Sequence, residues 1–494
     1  MAKVLAGLKP ERVFHYFEEL SNIPRGSGNE MACSNYVVEF AKAHGLRYRQ
    51  DEFYNVVIWM DAAPGCENAP TCMMQAHMDI VCEKNPGVDF DFEKQGIKLI
   101  VDGDLIKADG TTLGGDDGFG CCIMLAFLEN PTEKHPAIEC VFTVEEELGL
   151  FGAIKMDKSD LKSEYLFNMD ASKFDKMQAG CAGALDYIYE QDVNFEDAGA
   201  FDSAFSVTFT GLRGGHSGAD IHEDRANSNK IMGRTLYELE CAGIDFRVFD
   251  IEGGAKPNAI PRNAVVSIAV KSADKSKAVE VISTFLDGIK NEIKVNEPGF
   301  VYRIADLATP AKVFSKADCD KISRIIMLAP NGANTLSPYF PNLAESSSNL
   351  GVICMINDGK TIKYNNKIRC NVTSLKTDLT RRCKLLGELM GVKGYEYADI
   401  PVWEYDADRF LVKEIQATYK ELFGKDLQLE TSHGSCECGI FSEGVPGGME
   451  AVSMGTDIWD LHSPDERMSI SALGNLDKLI RALMTKFAGF TKKK

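Results

Sequence analysis

Five short polar clusters carry residues suited to binding metal ions: His77-Met78-Asp79, Gly114-Gly115-Asp116-Asp117-Gly118, Glu145-Glu146-Glu147, Asn168-Met169-Asp170 and Leu461-His462-Ser463-Pro464-Asp465-Glu466. Imidazoles and carboxylates without thiolates suit Zn²⁺, Mn²⁺ or Co²⁺ better than an all-oxygen calcium cage. His77 and His462 supply one nitrogen each. Two metals about 3.5–4 Å apart need a carboxylate that bridges them. Asp116, flanked by glycines that let the backbone come close, fits that role. Three adjacent carboxylates at 145–147 repel one another unless cations or protons intervene. Neighbouring residues on a strand or tight turn face opposite ways, so one of Glu146 and Glu147 suits a metal while the other takes a proton from water. Asp79, placed just after His77, is positioned to hold a ligand imidazole or to orient the base.

These residues need a scaffold that gathers them from distant parts of the chain. Strand-like runs at 55–60 and 71–76 are followed by a helix over 119–128, a strand at 138–144, a helix near 149–156 and a strand at 165–169. Ser27-Gly28-Asn29-Glu30 has the form of a capping box, opening a helix that carries Val37, Val38, Phe40 and Ala41 and stops near Gly45. Strand and helix in alternation predict a mainly parallel sheet covered on both faces. Open α/β sheets put their sites at the carboxyl ends of strands, so each cluster is expected where the chain leaves a strand.

From about residue 186 the order changes to a strand at 203–211, a helix at 228–242, strands at 245–252 and 263–271, a helix at 275–293 and a strand at 300–305. That is βαββαβ, a split-βαβ layer. A related set follows, with a helix at 318–329, strands at 349–357 and 361–371, a helix at 374–391 and a strand near 393–398. The alternating pattern then returns, with a helix over 407–423, strands at 426–431 and 449–454, and a helix over 471–487. His462 lies in that returning piece. A site shared with His77 therefore requires 1–185 and 398–494 to form one discontinuous domain around an inserted domain at 186–397.

At 494 residues with 45% apolar content, the chain is about three times a usual domain and has ample core. A formal net charge of −19 argues against nucleic acid and anionic membranes, which need a basic face. A small molecule is the expected partner. Met1-Ala2-Lys3-Val4, soon followed by Pro10 and Glu11, offers neither a signal-peptide core nor a membrane span, so a cytoplasmic location is expected. The fifteen cysteines are scattered, as at Cys33, Cys122, Cys140 and Cys354, and are expected as reduced, buried thiols. Cys121-Cys122 and Cys436-Glu437-Cys438 lack the spacer of zinc knuckles. Lys492-Lys493-Lys494 reads as a solvated tail.

Taken in order, His77-Met78-Asp79, Asp116-Asp117-Gly118, Thr143-Val144-Glu145-Glu146-Glu147-Leu148-Gly149, Asn168-Met169-Asp170, Gly214-Gly215-His216-Ser217-Gly218 and His462-Ser463-Pro464-Asp465-Glu466 resemble the M20 family of di-zinc peptidases. More narrowly, Thr111-Thr112-Leu113-Gly114-Gly115-Asp116, Ala179-Gly180-Cys181-Ala182-Gly183, Leu212-Arg213-Gly214-Gly215-His216-Ser217-Gly218 and Glu437-Cys438-Gly439 look like its aminoacyl-histidine dipeptidase branch, also called Xaa-His or cytosolic non-specific dipeptidases. The resemblance covers essentially the whole chain. It implies an α/β fold of the di-zinc exopeptidase type with an inserted α+β lid and dimerisation domain. It also implies two Zn²⁺ per subunit, with Co²⁺ or Mn²⁺ as substitutes, and hydrolysis of unblocked dipeptides.

Carried over position by position, the resemblance implies His77 and Asp170 on one metal, Glu147 and His462 on the other, and Asp116 bridging. Glu146 would be the general base for a metal-bridging water, with Asp79 in support. A homodimer is implied, in which His216 reaches the partner's site to stabilise the oxyanion. The glycine-rich segment 211–218 independently suits a loop that brings an imidazole to a ligand. Asn258, in the turn Lys256-Pro257-Asn258-Ala259-Ile260-Pro261-Arg262, is a candidate donor to the substrate backbone. Arg369, at a strand end, is a candidate partner for the substrate carboxylate. His433 and Glu437 are candidates to line the pocket, Glu437 against the substrate amino group. Two other functions fit the same residues: an N-acyl amino-acid deacylase or carboxypeptidase, and a catalytically silent metal- or peptide-binding protein. The intact candidate base Glu146 speaks against the last.

Overall fold

The computed structural model describes residues 4–492; the tail residues Lys493 and Lys494 lie outside the described residues. The chain forms two compact units. One takes the residues up to Gly180, Tyr405–Thr431 and the chain from Cys436 onward; the other takes Cys181–Glu404 and Ser432–Ser435. The divisions fall at 180/181 and 404/405 rather than 185/186 and 397/398. The excursion at 432–435 has no signature in the sequence.

In the first unit, Arg47–Gln50, Val56–Met60, Ile138–Thr143, Cys72–His77, Tyr165–Ala171, Glu450–Gly455, Lys176–Cys181 and Gln428–Ser432 lie side by side in that order. The four strands from Ile138–Thr143 to Glu450–Gly455 are parallel, and antiparallel neighbours flank them at Val56–Met60 and Lys176–Cys181. The sheet is thus mixed with a parallel centre. Parallel strands are covered on both faces, which is why Cys72–His77 and Ile138–Thr143 are buried at every position. Alternation sends Cys72, Met74 and Ala76 into the core shared with Phe119, Ile123 and Phe127 of the helix Gly115–Glu129. On the opposite face Gln75 meets Glu437, which opens the helix Glu437–Gly444.

Three local readings are corrected. The helix Met31–Ala43 begins after Glu30 without a side-chain cap. Ser27 Oγ instead donates to Asp79 Oδ2 at 2.8 Å, and Glu30 Oε1 accepts from Gly28 N and Glu145 N at 3.0 and 3.1 Å. Residues that looked like a helix cap thus brace the functional loops. Second, the cluster around Asp116 leaves no strand: it opens Gly115–Glu129, with Gly114 at φ +67° and both Asp116 and Asp117 still non-helical. Third, His462 lies in a turn of a separate four-stranded sheet, in which Ile458–Trp459, Arg467–Ser469, Leu105–Ala108 and Leu99–Asp102 are successive neighbours. The last two strands are short and half exposed, so they leave little periodic signal.

In the second unit, Val301–Leu307, Ser203–Thr210, Ala264–Val270, Phe246–Gly253, Ala344–Ile356, Thr361–Cys370, Gly183–Asp192 and Lys393–Ile400 form one sheet in that order, with Gly332–Leu336 paired to Ala344–Ile356. It is two split-βαβ layers joined where Gly253 faces Ile353. The second layer was incomplete in the sequence. Its first strand is Gly183–Asp192, which pairs with Thr361–Cys370 across the whole intervening layer.

No disulfide joins the fifteen cysteines; eleven are buried, as expected, but Cys82 and Cys241 are exposed and Cys354 and Cys436 intermediate. No helix among the described residues is long and apolar enough to cross a membrane.

Candidate metal centre

His77 ends the strand Cys72–His77 with its ring almost fully buried. Its Nδ1 lies 3.1 Å from the Asp79 carbonyl oxygen, which can only accept, so Nδ1 carries a proton and Nε2 faces the site. Nε2 is 3.2 Å from Asp116 Oδ1 and 3.7 Å from Asp170 Oδ1. His462 Nε2 lies 3.4 Å from Asp116 Oδ2 and 2.9 Å from Glu147 Oε1. One carboxylate therefore turns each of its oxygens to a different imidazole. Ligand atoms of His77, Asp116 and Asp170 form one group within 4.8 Å, and those of Asp116, Glu147 and His462 form a second. A third such group joins His77, Glu146 and Glu147.

The backbone around these ligands is braced by buried polar groups. Asp79 does both things open to it: Oδ1 is 3.4 Å from His77 Nδ1, while its two oxygens accept from Glu146 N and Glu147 N at 3.1 and 3.2 Å. Glu145 adopts φ +51°, turning the chain off its strand so that both following amides reach Asp79. Arg25, 2% exposed, donates to Met78 O at 2.7 Å and to Gly114 O at 2.6 Å, tying the His77 and Asp116 loops together. Asp117 is fully buried and accepts from His77 N and Gly120 N at 3.3 and 3.2 Å, so it is a brace and not a solvated neighbour.

Crowding this many carboxylates is costly without cations. Burial, then the nearby Asp170, Glu437 and Glu147, push the Glu146 carboxyl well above the usual range despite His77. Burial and Asp116 do the same to Asp170. Burial would depress the His77 imidazole, yet Asp116, Asp170 and Asp79 raise it well above its ordinary value. Asp116 and Glu147 lift His462 to about 10. The cluster therefore attracts positive charge. Glu147 Oε1 is buried with no hydrogen-bond partner although His462 Nε2 is 2.9 Å away. Imidazole nitrogens and carboxylate oxygens that converge this closely are suited to a metal ion, and the N/O set fits Zn²⁺, Co²⁺ or Mn²⁺.

A family profile described as Peptidase family M20/M25/M40 matches residues 73–486. The chain belongs to this family. It is a metal-dependent peptidase. It is 32% identical over 481 residues to the cytosol non-specific dipeptidase of Escherichia coli strain K12, spanning 97% of the chain and 98% of the relative. Its fold is similar to that of the aminoacylhistidine dipeptidase from Vibrio alginolyticus, with a TM-score of 0.84, 32% identity and coverage of 99% and 98%. A tripeptidase from Staphylococcus aureus shares the fold at 17% identity and a TM-score of 0.54, covering 97% of this chain and 99% of that one.

The peptidase keeps His216, Asn258, Arg369 and His433 in its second unit. His216 pairs with Ala259 in a two-residue ladder, and its Nδ1 accepts from Gly218 N and Ala219 N at 3.2 and 3.1 Å. The ring proton is thereby fixed on Nε2. Burial, then Arg369, lowers its pKa and favours the neutral ring. The Asn258 carbonyl accepts from Ser217 N at 2.8 Å, while the residue itself is exposed. Arg369 is 6% exposed, and its nearest partners are the Ser217 and Ser435 hydroxyls at 3.3 and 3.5 Å. Burial pulls its pKa down to about 10, still charged at neutral pH. Among the described residues it holds no carboxylate in an ion pair.

Two expected pocket residues are buried in polar networks. His433 has both ring nitrogens engaged, Nε2 with Ser347 Oγ and Nδ1 with Asn371 Oδ1, each at 2.7 Å. It pins the segment Ser432–Ser435 to the second unit and has no nitrogen left for substrate. Glu437 has no exposed surface and accepts from Gln75 Nε2 and Thr143 Oγ1; burial, offset partly by His77, raises it to about 7. Asn168 Nδ2 joins the network at Gln75 Oε1, 2.6 Å away. Glu437 therefore belongs to a polar floor beneath the strand ends that bear His77 and Asp170, with Oε2 engaged and Oε1 buried without a hydrogen-bond partner. Arg25, Gln75 and Glu466 were given no role from sequence. Only Glu466 had a signal, its place in the His462 cluster.

Proposed function

We propose that this peptidase is a dipeptidase that hydrolyses unblocked dipeptides, of Xaa-His type or broader, using two Zn²⁺ per subunit for which Co²⁺ or Mn²⁺ can substitute. The observation that carries the reading is the Asp116 carboxylate, shared between two ligand groups with Glu146 beside them. Bound there, two divalent ions supply Lewis-acid polarisation of the scissile carbonyl and lower the pKa of a water. His77 and Asp170 would hold one ion, Glu147 and His462 the other, with Asp116 available to both. Glu146 takes the proton of the attacking water and returns it to the leaving amine. Asp79 keeps the His77 tautomer and the 146–147 backbone in place. From the second unit, His216 donates its Nε2 proton to the developing oxyanion, Arg369 receives the substrate carboxylate, and Asn258 meets the substrate backbone. The printed names of the two relatives support a dipeptide substrate, and the word cytosol in one supports a cytoplasmic location.

Metal analysis combined with a panel of blocked and unblocked dipeptides, including Xaa-His pairs, tests this. Two ions per chain and cleavage of free dipeptides only are expected. Cleavage of N-acylated substrates with free dipeptides ignored would make it a deacylase or carboxypeptidase. Metal binding with no turnover on any substrate would leave a silent binding protein.

The family resemblance supports a homodimer in which His216 acts on the partner's site. A second reading, action within one chain, is favoured by one observation: the loop of His216 already meets Arg369 inside a single second unit, through Ser217. Mixing the inactive variants Glu146→Gln and His216→Ala separates them. Restored hydrolysis in the mixture is expected for action across a dimer, whereas no recovery under conditions of subunit exchange would establish the single-chain arrangement.

A further inference from the structure

Glu466 lies four positions after His462 and is 3% exposed, and it makes no ion pair among the described residues. Its Oε2 accepts from Leu113 N and Gly114 N at 2.8 and 3.0 Å, and its Oε1 from Gly115 N and Asp116 N at 2.9 and 3.3 Å. Four consecutive amides thus converge on one carboxylate, a charge-assisted nest of a kind that holds backbone tightly. The approach needs the glycines. Gly114 stands at φ +67°, and a Cβ on Gly115 would come within 3.2 Å of Glu466 Oε1. On the other side, Arg25 Nη2 takes the Gly114 carbonyl, so the loop is held from both sides.

The turn that carries Glu466 is equally closed. Glu466 N donates to Ser463 O at 3.1 Å, Asp465 N to Ser463 Oγ at 3.2 Å, and Ser463 Oγ to Asp460 O at 2.7 Å. Within it His462 sits at φ +58°, a conformation that a non-glycine residue keeps only where its surroundings impose it. One carboxylate therefore joins the turn that presents His462 to the loop that presents Asp116. The sequence separates those two ligands by most of the chain.

We infer that Glu466 is a positioning residue that sets the spacing of Asp116 and His462, and with it the affinity of the metal position those two share with Glu147. The inference rests on the ligand assignment proposed above. Positioning partners behind metal ligands typically contribute about 10–100-fold in affinity. Glu466→Gln keeps the side chain's shape but turns an NH₂ group toward amide donors, whereas His77 keeps its own brace in the Asp79 carbonyl.

The test is calorimetric titration of metal-free full-length protein with Zn²⁺, with thermal melting of the metal-free forms alongside. Wild type should bind two ions. Glu466→Gln should weaken one binding event by about 10–100-fold and the other, which uses Asp116 as well but keeps His77 and Asp170, by clearly less. The event weakened more should be the one removed by His462→Ala, and the double variant should bind its remaining ion as His462→Ala does. Wild-type affinities for both ions in Glu466→Gln would overturn the inference alone. Equal weakening of both ions, or a metal-free variant that melts far below wild type or is unfolded, would make Glu466 a general structural residue and overturn it too. Fewer than two ions on the wild type would instead overturn the metal-centre reading.

Discussion

Replacing Glu146 by glutamine should lower kcat on a free dipeptide by about 10²–10⁴-fold, the usual contribution of a positioned general base, with both metal ions still bound. Glutamine preserves the side chain's size and leaves the Asp79 contact intact, because that contact is made by the Glu146 amide and not by its carboxyl. What it removes is an oxygen able to take a proton from water. The substitution is informative because the ligand atoms of His77, Glu146 and Glu147 also lie close enough to share an ion. If the variant loses a metal along with turnover, Glu146 is a ligand. If it turns over near the wild-type rate with both ions bound, the base is another group.

Asp116→Ala should reduce turnover to background and weaken both metal positions together, each by at least about tenfold. Asp116 Oδ1 faces His77 and Oδ2 faces His462, so truncation takes one ligand from each group at once. His462→Ala, by contrast, should affect a single position, since only the group with Asp116 and Glu147 includes that ring. Titration of metal-free protein with Zn²⁺ reads both variants. A full-affinity site surviving in Asp116→Ala would show that the carboxylate is not shared.

How much of this was legible follows from the range of each interaction. His77, Glu146, Glu147 and Asp170 could be found because each closes or follows an apolar strand of a buried parallel sheet, and such strands are continuous apolar runs. The His462 cluster was visible for its residue types alone. Its strand partners at 99–102 and 105–108 are short and exposed, and its turn belongs to a different sheet from the one anticipated. Ser27 and Glu30 carried a local signal that misled: a capping-box pattern describes what side chains do when nothing else competes. Here Asp79 and the Glu145 amide compete successfully. The strand Gly183–Asp192 was missed because its partners come more than 160 residues later.

Residue type, order and hydrophobic period were enough to name the chemistry: imidazole and carboxylate donors, a spare glutamate, and two chain ends that must meet. They act over a few residues, and a strand or a ligand keeps its type wherever it is placed. The buried polar contacts were decided only in three dimensions. Which oxygen of Asp116 faces which ring, which partners hold Glu437 and His433 in buried networks, and how Glu466 gathers four amides all depend on groups far apart in the chain. A buried polar atom must find a partner wherever the fold supplies one, and that choice leaves no pattern along the sequence.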